Sequence, residues 1–159
     1  MQKSEIRGII VPILTPMHKD EKLNLEELRR QVDRMIGAGI HGIFCLGTNG
    51  EAFALSDEEK RQVIRTTVEQ AAGRVPVYAG TGCVTTRDTL ELSLYAQEVG
   101  ADALSIITPY FAASSQEQLY RHYETIANAV RIPIIVYNIP ARTGASVSPK
   151  LWKKMTKLE

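Results

Sequence analysis

Residues 9–17 read Ile9-Ile10-Val11-Pro12-Ile13-Leu14-Thr15-Pro16-Met17, and their reading decides the architecture. The first six form a short apolar run rich in β-branched side chains, the pattern of a strand buried on both faces. The run ends in Thr15-Pro16-Met17. A dinucleotide-binding sheet carries a GxGxxG turn after its first strand, and none stands here. Pro12 sits awkwardly inside the run, because proline removes one ladder donor.

The same pattern recurs at residues 42–46, 77–79, 103–107 and 134–137, each time followed by a turn of Gly, Thr, Pro or Asn and then an amphipathic stretch. Leu25, Leu28, Val32, Met35 and Ile36 form one apolar stripe ended by Gly37 and Gly39. Ser56 and Glu59 make a capping box that opens a second helix, with Val63, Ile64 and Val68 on its buried side. Helices are predicted over 89–99 and 116–130, and a last one from the Ser148 cap and Pro149 to the end of the chain. Strand–helix alternation with short links implies parallel βαβ units, in an open doubly wound sheet or a closed barrel. The polar residues stand just after the C-terminal end of each strand, where a (β/α)8 TIM barrel builds its site. The fold expected is therefore α/β, the first five β/α units of such a barrel. No interdomain linker is visible, so residues 1–159 read as a single partial barrel domain lacking the C-terminal strands.

Composition agrees with a globular chain: 159 residues, 44% hydrophobic and 23% charged. A net charge of +1 lacks the basic excess of a nucleic-acid binder. Cys45 and Cys83 form no CxxC pair, and His18, His41 and His122 are scattered, so no zinc site is expected and the cysteines read as reduced thiols. The polar start, residues 1–7, precedes an apolar run too short to span a bilayer or to serve as a signal-peptide core. A cytoplasmic location without a membrane partner is expected.

The strand ends carry the candidate chemistry. In Gly47-Thr48-Asn49-Gly50-Glu51, backbone N–H groups, the Thr48 hydroxyl and the Asn49 amide can receive an anion such as the carboxylate of a keto acid. By spacing alone, Thr and Asn as local caps of a tight turn is the simpler reading. Gly80-Thr81-Gly82 is a flexible turn. Tyr110 and Phe111 wall a pocket, cross a subunit interface or fill a core. Tyr137 can shuttle a proton if its phenol is desolvated, and Arg142 can clamp a carboxylate; the alternatives are a buried tyrosine and a surface arginine.

Taken in order, Leu14-Thr15-Pro16-Met17, Gly47-Thr48-Asn49-Gly50-Glu51, Gly80-Thr81-Gly82, Thr108-Pro109-Tyr110 and the stretch from Tyr137 to Gly144 resemble the dihydrodipicolinate synthase/N-acetylneuraminate lyase family. The second and last segments are specific; the ordered set is strong. The resemblance implies a class I pyruvate aldolase, commonly a homotetramer, needing no cofactor or metal. It places a lysine on strand six, which forms a Schiff base with pyruvate; the resulting enamine then adds to an aldehyde. Carried over by position, Thr48 and Asn49 bind the pyruvate carboxylate, Tyr137 relays the proton, and Arg142 holds the second substrate's carboxylate. Gly82 lines the floor, and Tyr110 joins the substrate-binding set.

Four departures accompany the resemblance. None of the eight lysines (Lys3, Lys19, Lys22, Lys60, Lys150, Lys153, Lys154, Lys157) lies in an apolar strand, so the nucleophile is expected beyond Glu159, in a longer enzyme of which this is the N-terminal part. Phe111 stands where the synthases carry a proton-relaying tyrosine, and Asn49 replaces a threonine. Asp57, Lys60 and Val84 do not repeat the synthases' lysine-feedback pattern. These differences also admit a sister aldolase cleaving a 2-keto-3-deoxy sugar acid or N-acetylneuraminate. A catalytically silent, self-associating piece is the other alternative, since five parallel strands leave two open edges. A nucleotide-binding module is the weakest, lacking both glycine-rich signatures.

Overall fold

The computed structural model describes residues 6–158; the polar residues 1–5, Lys3 among them, and Glu159 lie outside the described residues. Five strands alternate with helices: β1 (Ile10–Pro12), α1 (Leu25–Gly37), β2 (Gly42–Cys45), α2 (Asp57–Ala71), β3 (Val77–Gly80), α3 (Thr86–Glu98), β4 (Ala103–Ile107), α4 (Gln116–Ala127), β5 (Ile134–Tyr137), α5 (Pro140–Thr143) and α6 (Pro149–Met155). A 3-10 turn over Ala52–Ala54 precedes α2.

The sheet is parallel throughout, in the order β1-β2-β3-β4-β5. That order separates the two architectures left open by the sequence. A doubly wound sheet reverses its strand order at a switch point. A sequential order with crossovers of one hand lays every helix on the same face. The chain is therefore a partial (β/α) barrel, with helices on its convex side and the strand C-termini at one rim.

The core fills the space between sheet and helices. Ile43, Cys45, Leu104 and Ile106 of the strands are fully buried against Val32, Ile64, Leu119 and Ile126 of the helices. The Tyr123 hydroxyl donates to the Ile106 carbonyl at 3.1 Å, pinning α4 to β4. The three central strands are covered on both sides, as their apolar runs require, whereas β1 and β5 are only half covered because each has an open edge. The same edge explains Pro12. Ile13 N–H donates to Phe44 O at 3.0 Å, and Pro12 is in register with Phe44, so alternation along the parallel ladder turns the proline nitrogen outward.

Helix ends depart from the sequence pattern in instructive ways. The Ser56–Glu59 capping box forms as expected, with Ser56 N–H donating to Glu59 Oε2 at 2.8 Å. α3 begins three residues early because the Thr85 hydroxyl accepts from Asp88 N–H at 3.1 Å and caps it. α4 stops at Ala127, and α6 stops at Met155 and does not reach the end of the chain. Both close with tightened turns, Ala129 N–H to Ile126 O and Leu158 N–H to Met155 O at 3.0 Å each. The stretch after Tyr137 is not a plain loop: Pro140 starts and Gly144 (φ +68°) ends a one-turn helix.

Candidate active site at the strand C-termini

The turn after β2 is built by four residues held between two left-handed ones. Leu46 (φ +58°) and Glu51 (φ +53°) bracket it. Gly47 and Gly50 serve a different need, room: a Cβ on Gly47 would lie 2.9 Å from the Phe44 ring, and one on Gly50 would lie 3.2 Å from Ile13 O. Gly50 N–H and Glu51 N–H close the turn onto Gly47 O and Thr48 O, at 3.0 and 3.1 Å. The Thr15 hydroxyl donates to Gly50 O at 2.7 Å and ties the turn to the end of β1. Among the described residues, the N–H groups of Thr48 and Asn49 have no acceptor. Two unspent donors beside the Thr48 hydroxyl are the elements of an anion site.

Across the rim, β5 delivers Tyr137. Its Oη lies 3.4 Å from Thr48 Oγ1, a contact spanning 89 residues of sequence. Phe44 presents its ring edge-on to Tyr137 at 6.4 Å between centroids and limits where the phenol can swing. Tyr137 O accepts from Thr108 N–H at 3.2 Å. The Thr108 hydroxyl in turn donates to Thr143 Oγ1 at 2.8 Å, and Val147 N–H to Asn138 Oδ1 at 3.1 Å, which hold the β5–α5 segment in place.

Thr48, Gly82, Tyr110 and Tyr137 line one cavity of about 60 Å³, with Phe53 and Ser105. Its floor is tight, since a Cβ on Gly82 would lie 2.6 Å from Ile107 Cγ2 and 2.8 Å from Ile107 N. Asn49 lines the adjoining barrel interior, a space of about 390 Å³ shared with Thr48 and Tyr137. Arg142 lies on α5, exposed, lines neither space and has no ion-pair partner among the described residues. The structure thus gathers four of the six sequence-derived site residues, sets Asn49 next door and leaves Arg142 at the rim.

Burial pushes the Tyr110 phenol above its usual range, with the neighbouring Cys83 adding to the effect. Burial also raises the Cys83 thiol and takes Cys45 up to about 12, so both free cysteines stay protonated and unreactive. Among the described residues no lysine lies in a strand. Lys60 is the most enclosed one for which an ion pair is seen, its side chain 14% exposed and paired with Asp57 at 3.1 Å. Phe111 is 96% exposed and left-handed (φ +77°), so it stands out from the rim and does not pack in a core. Among the described residues there is no cluster of three or more metal-ligating side chains and no helix long and apolar enough to cross a membrane.

Among the cavity residues that escaped the sequence reading are Phe53, Ser105, Phe44 and Tyr78. Ser105 is the one hydroxyl in the apolar run of β4, a signal that was available. Phe44 and Tyr78 carried none, because an aromatic side chain in a buried strand faces the interior or the helices with equal plausibility.

Comparison with known proteins gives the same grouping. Residues 5–159 match the model of the dihydrodipicolinate synthetase family. The 4-hydroxy-tetrahydrodipicolinate synthase of Methanopyrus kandleri is 45% identical over 152 residues, 95% of this chain and 51% of the relative. That of Methylococcus capsulatus is 49% identical over 144 residues, covering 91% and 50%. The dihydrodipicolinate synthase of Acinetobacter baumannii, solved in complex with pyruvate, superposes with a TM-score of 0.93 at 42% identity, over 96% of this chain and 53% of that one. The Aquifex aeolicus synthase does so at 0.93 and 38%, over 95% and 51%. The chain spans about half the length of the curated relatives it matches.

Proposed function

Because this chain belongs to the dihydrodipicolinate synthetase family, we propose that it forms the carboxylate-binding and proton-relaying half of a Schiff-base lyase that condenses pyruvate with an aldehyde, as a 4-hydroxy-tetrahydrodipicolinate synthase does. The observation that carries the reading is the meeting of Thr48 and Tyr137 at 3.4 Å inside one strand-end cavity. The nucleophilic lysine belongs to a strand outside these 159 residues. Residues 1–159 act as one partial barrel domain of a cytoplasmic homotetramer, and the chain by itself turns nothing over.

Each residue then has a task. The free N–H groups of Thr48 and Asn49 and the Thr48 hydroxyl hold the pyruvate carboxylate beside the Schiff base. The Tyr137 phenol, one contact away, acts as a relay: its oxygen accepts the proton leaving the pyruvate methyl group as its own hydroxyl proton passes on to Thr48 Oγ1. Tyr110, kept neutral by burial, donates a hydrogen bond from the wall. Gly82 gives the keto acid its floor, and Arg142 receives a carboxylate approaching from solvent.

A sister aldolase acting on a 2-keto-3-deoxy sugar acid or N-acetylneuraminate is the second reading. It is favoured by Phe111, which has no hydroxyl with which to extend the relay.

Pyruvate titrated into the labelled chain should shift the Thr48 and Asn49 amide resonances, and borohydride should add no mass. Unmoved resonances would overturn the carboxylate site. A pyruvyl adduct would overturn the placement of the nucleophile.

A further inference from the structure

Three residues line both the strand-end cavity and the adjoining barrel interior: Thr48, Ser105 and Tyr137. All three carry a hydroxyl. Those of Thr48 and Tyr137 face each other at 3.4 Å. Ser105 takes no part in that contact.

Ser105 sits in the middle of β4, where side chains alternate between the two faces of the sheet. Leu104 and Ile106 are fully buried against the helices, so Ser105 and Ile107 face the barrel interior. Ser105 is 8% exposed. Its carbonyl accepts from Thr81 N–H at 3.3 Å, but among the described residues its hydroxyl has no partner. An enclosed hydroxyl without a partner is unfavourable, and its neighbours Leu104 and Ile106 show that this strand needs none for packing.

Gly80 is what brings Ser105 and Thr48 to one cavity. It lies on β3, paired with Ser105 in the ladder. A Cβ there would lie 2.2 Å from Leu46 O. Without one, the left-handed Leu46 can turn the chain over the end of β3 and carry Thr48 into a cavity that β4 and β5 also line. No β3 side chain stands between that turn and Ser105 at this level.

We propose that Ser105 is a substrate-contacting residue whose hydroxyl donates to the keto oxygen of the bound acid, so that the site tells a 2-keto acid from a plain carboxylic acid. The inference deepens the keto-acid reading above and rests on it. A 2-keto acid carries its carboxylate and its keto oxygen on adjacent carbons. With the carboxylate on the Thr48 and Asn49 N–H groups, the keto oxygen falls to a donor deeper in the cavity. Of the three hydroxyls lining both spaces, Ser105 has the uncommitted one. A site built to hydrogen-bond an oxygen disfavours the analogue that lacks it, because the site's own polar group is then left unpaired.

The test titrates the isotope-labelled 159-residue chain separately with pyruvate and with propionate, reading dissociation constants from the Thr48 and Asn49 amide shifts. Propionate keeps the carboxylate and the chain length and lacks the keto oxygen. The native chain should bind pyruvate more tightly. Ser105→Ala should weaken pyruvate about three- to tenfold and leave propionate within about twofold. Ser105→Cys, close in size with a weak donor, should do the same and is read in its place should the alanine variant unfold. Equal binding of the two acids by the native chain, equal weakening of both in the variants, or pyruvate binding indifferent to the variants would overturn the Ser105 contact and leave the carboxylate site standing. If neither acid shifts either resonance in the native chain, the carboxylate site is overturned and the Ser105 contact with it.

Discussion

Mild acid should loosen this fold through one side chain. His122, on α4, is 3% exposed; its Nδ1 bonds the Thr86 hydroxyl at 2.9 Å, and its Nε2 is buried without a partner. Burial lowers its pKa from the ordinary 6.5 to about 4. Because the folded value is depressed, the unfolded chain binds the proton first. The stability of the neutral imidazole is complete above pH 6.5 and is lost as pH falls from there toward 4. A shift of this size costs about 2 kcal/mol between pH 7.5 and 5, and about 3 kcal/mol by pH 4. The depressed carboxylates Asp20, Asp33, Glu59 and Asp88 lose their contribution only below their ordinary values of 3.8 and 4.5, so the window above pH 5 is clear of them. Urea unfolding at pH 7.5 and pH 5 should show that loss in the native chain and much less of it in His122→Gln. Equal losses in the two proteins would refute the assignment.

Three other outcomes follow from the site and its scaffold. Gly82→Ala forces a methyl group onto Ile107 backbone and should cost about 1–3 kcal/mol, read as a lowered melting temperature; an unchanged one would mean that the floor yields freely. Ser56→Ala removes the hydroxyl that accepts from Glu59 N–H, leaving the backbone half of the α2 capping box, and should lower stability by about 1 kcal/mol in a urea titration. In a complex or longer chain that supplies the Schiff-base lysine, Tyr137→Phe should lower kcat by roughly 10²- to 10⁴-fold, and an unaltered rate would take Tyr137 out of the proton path.

How much of this the sequence carried depends on what kind of physics sets each feature. All five strands were legible because continuous β-branched runs such as Ile134–Tyr137 suit little else than a covered parallel strand. The choice of barrel over open sheet was legible only indirectly, from polar residues gathering after the strands; the strand order that settles it is a property of pairing, which no local pattern encodes. Thr48 and Tyr137 could be named as candidates, yet their meeting depends on a turn held by left-handed Leu46 and Glu51, residues that carry no left-handed signal. The short α5 had a signature in Pro140 and Gly144, but a single turn lacks the periodicity by which longer helices announce themselves.

The sequential strand order also bears on how the molecule comes into being. Among the described residues each strand after β1 lies against the one made just before it, so an emerging β/α unit finds its template already laid. Such an arrangement favours assembly from the N-terminus during synthesis, with loop-closure distances of one unit at each step. It also makes β3 a joint: a substitution that unseats Val77–Gly80 would leave β1-β2 and β4-β5 as separate hairpin-less pairs, each too small to hold together alone.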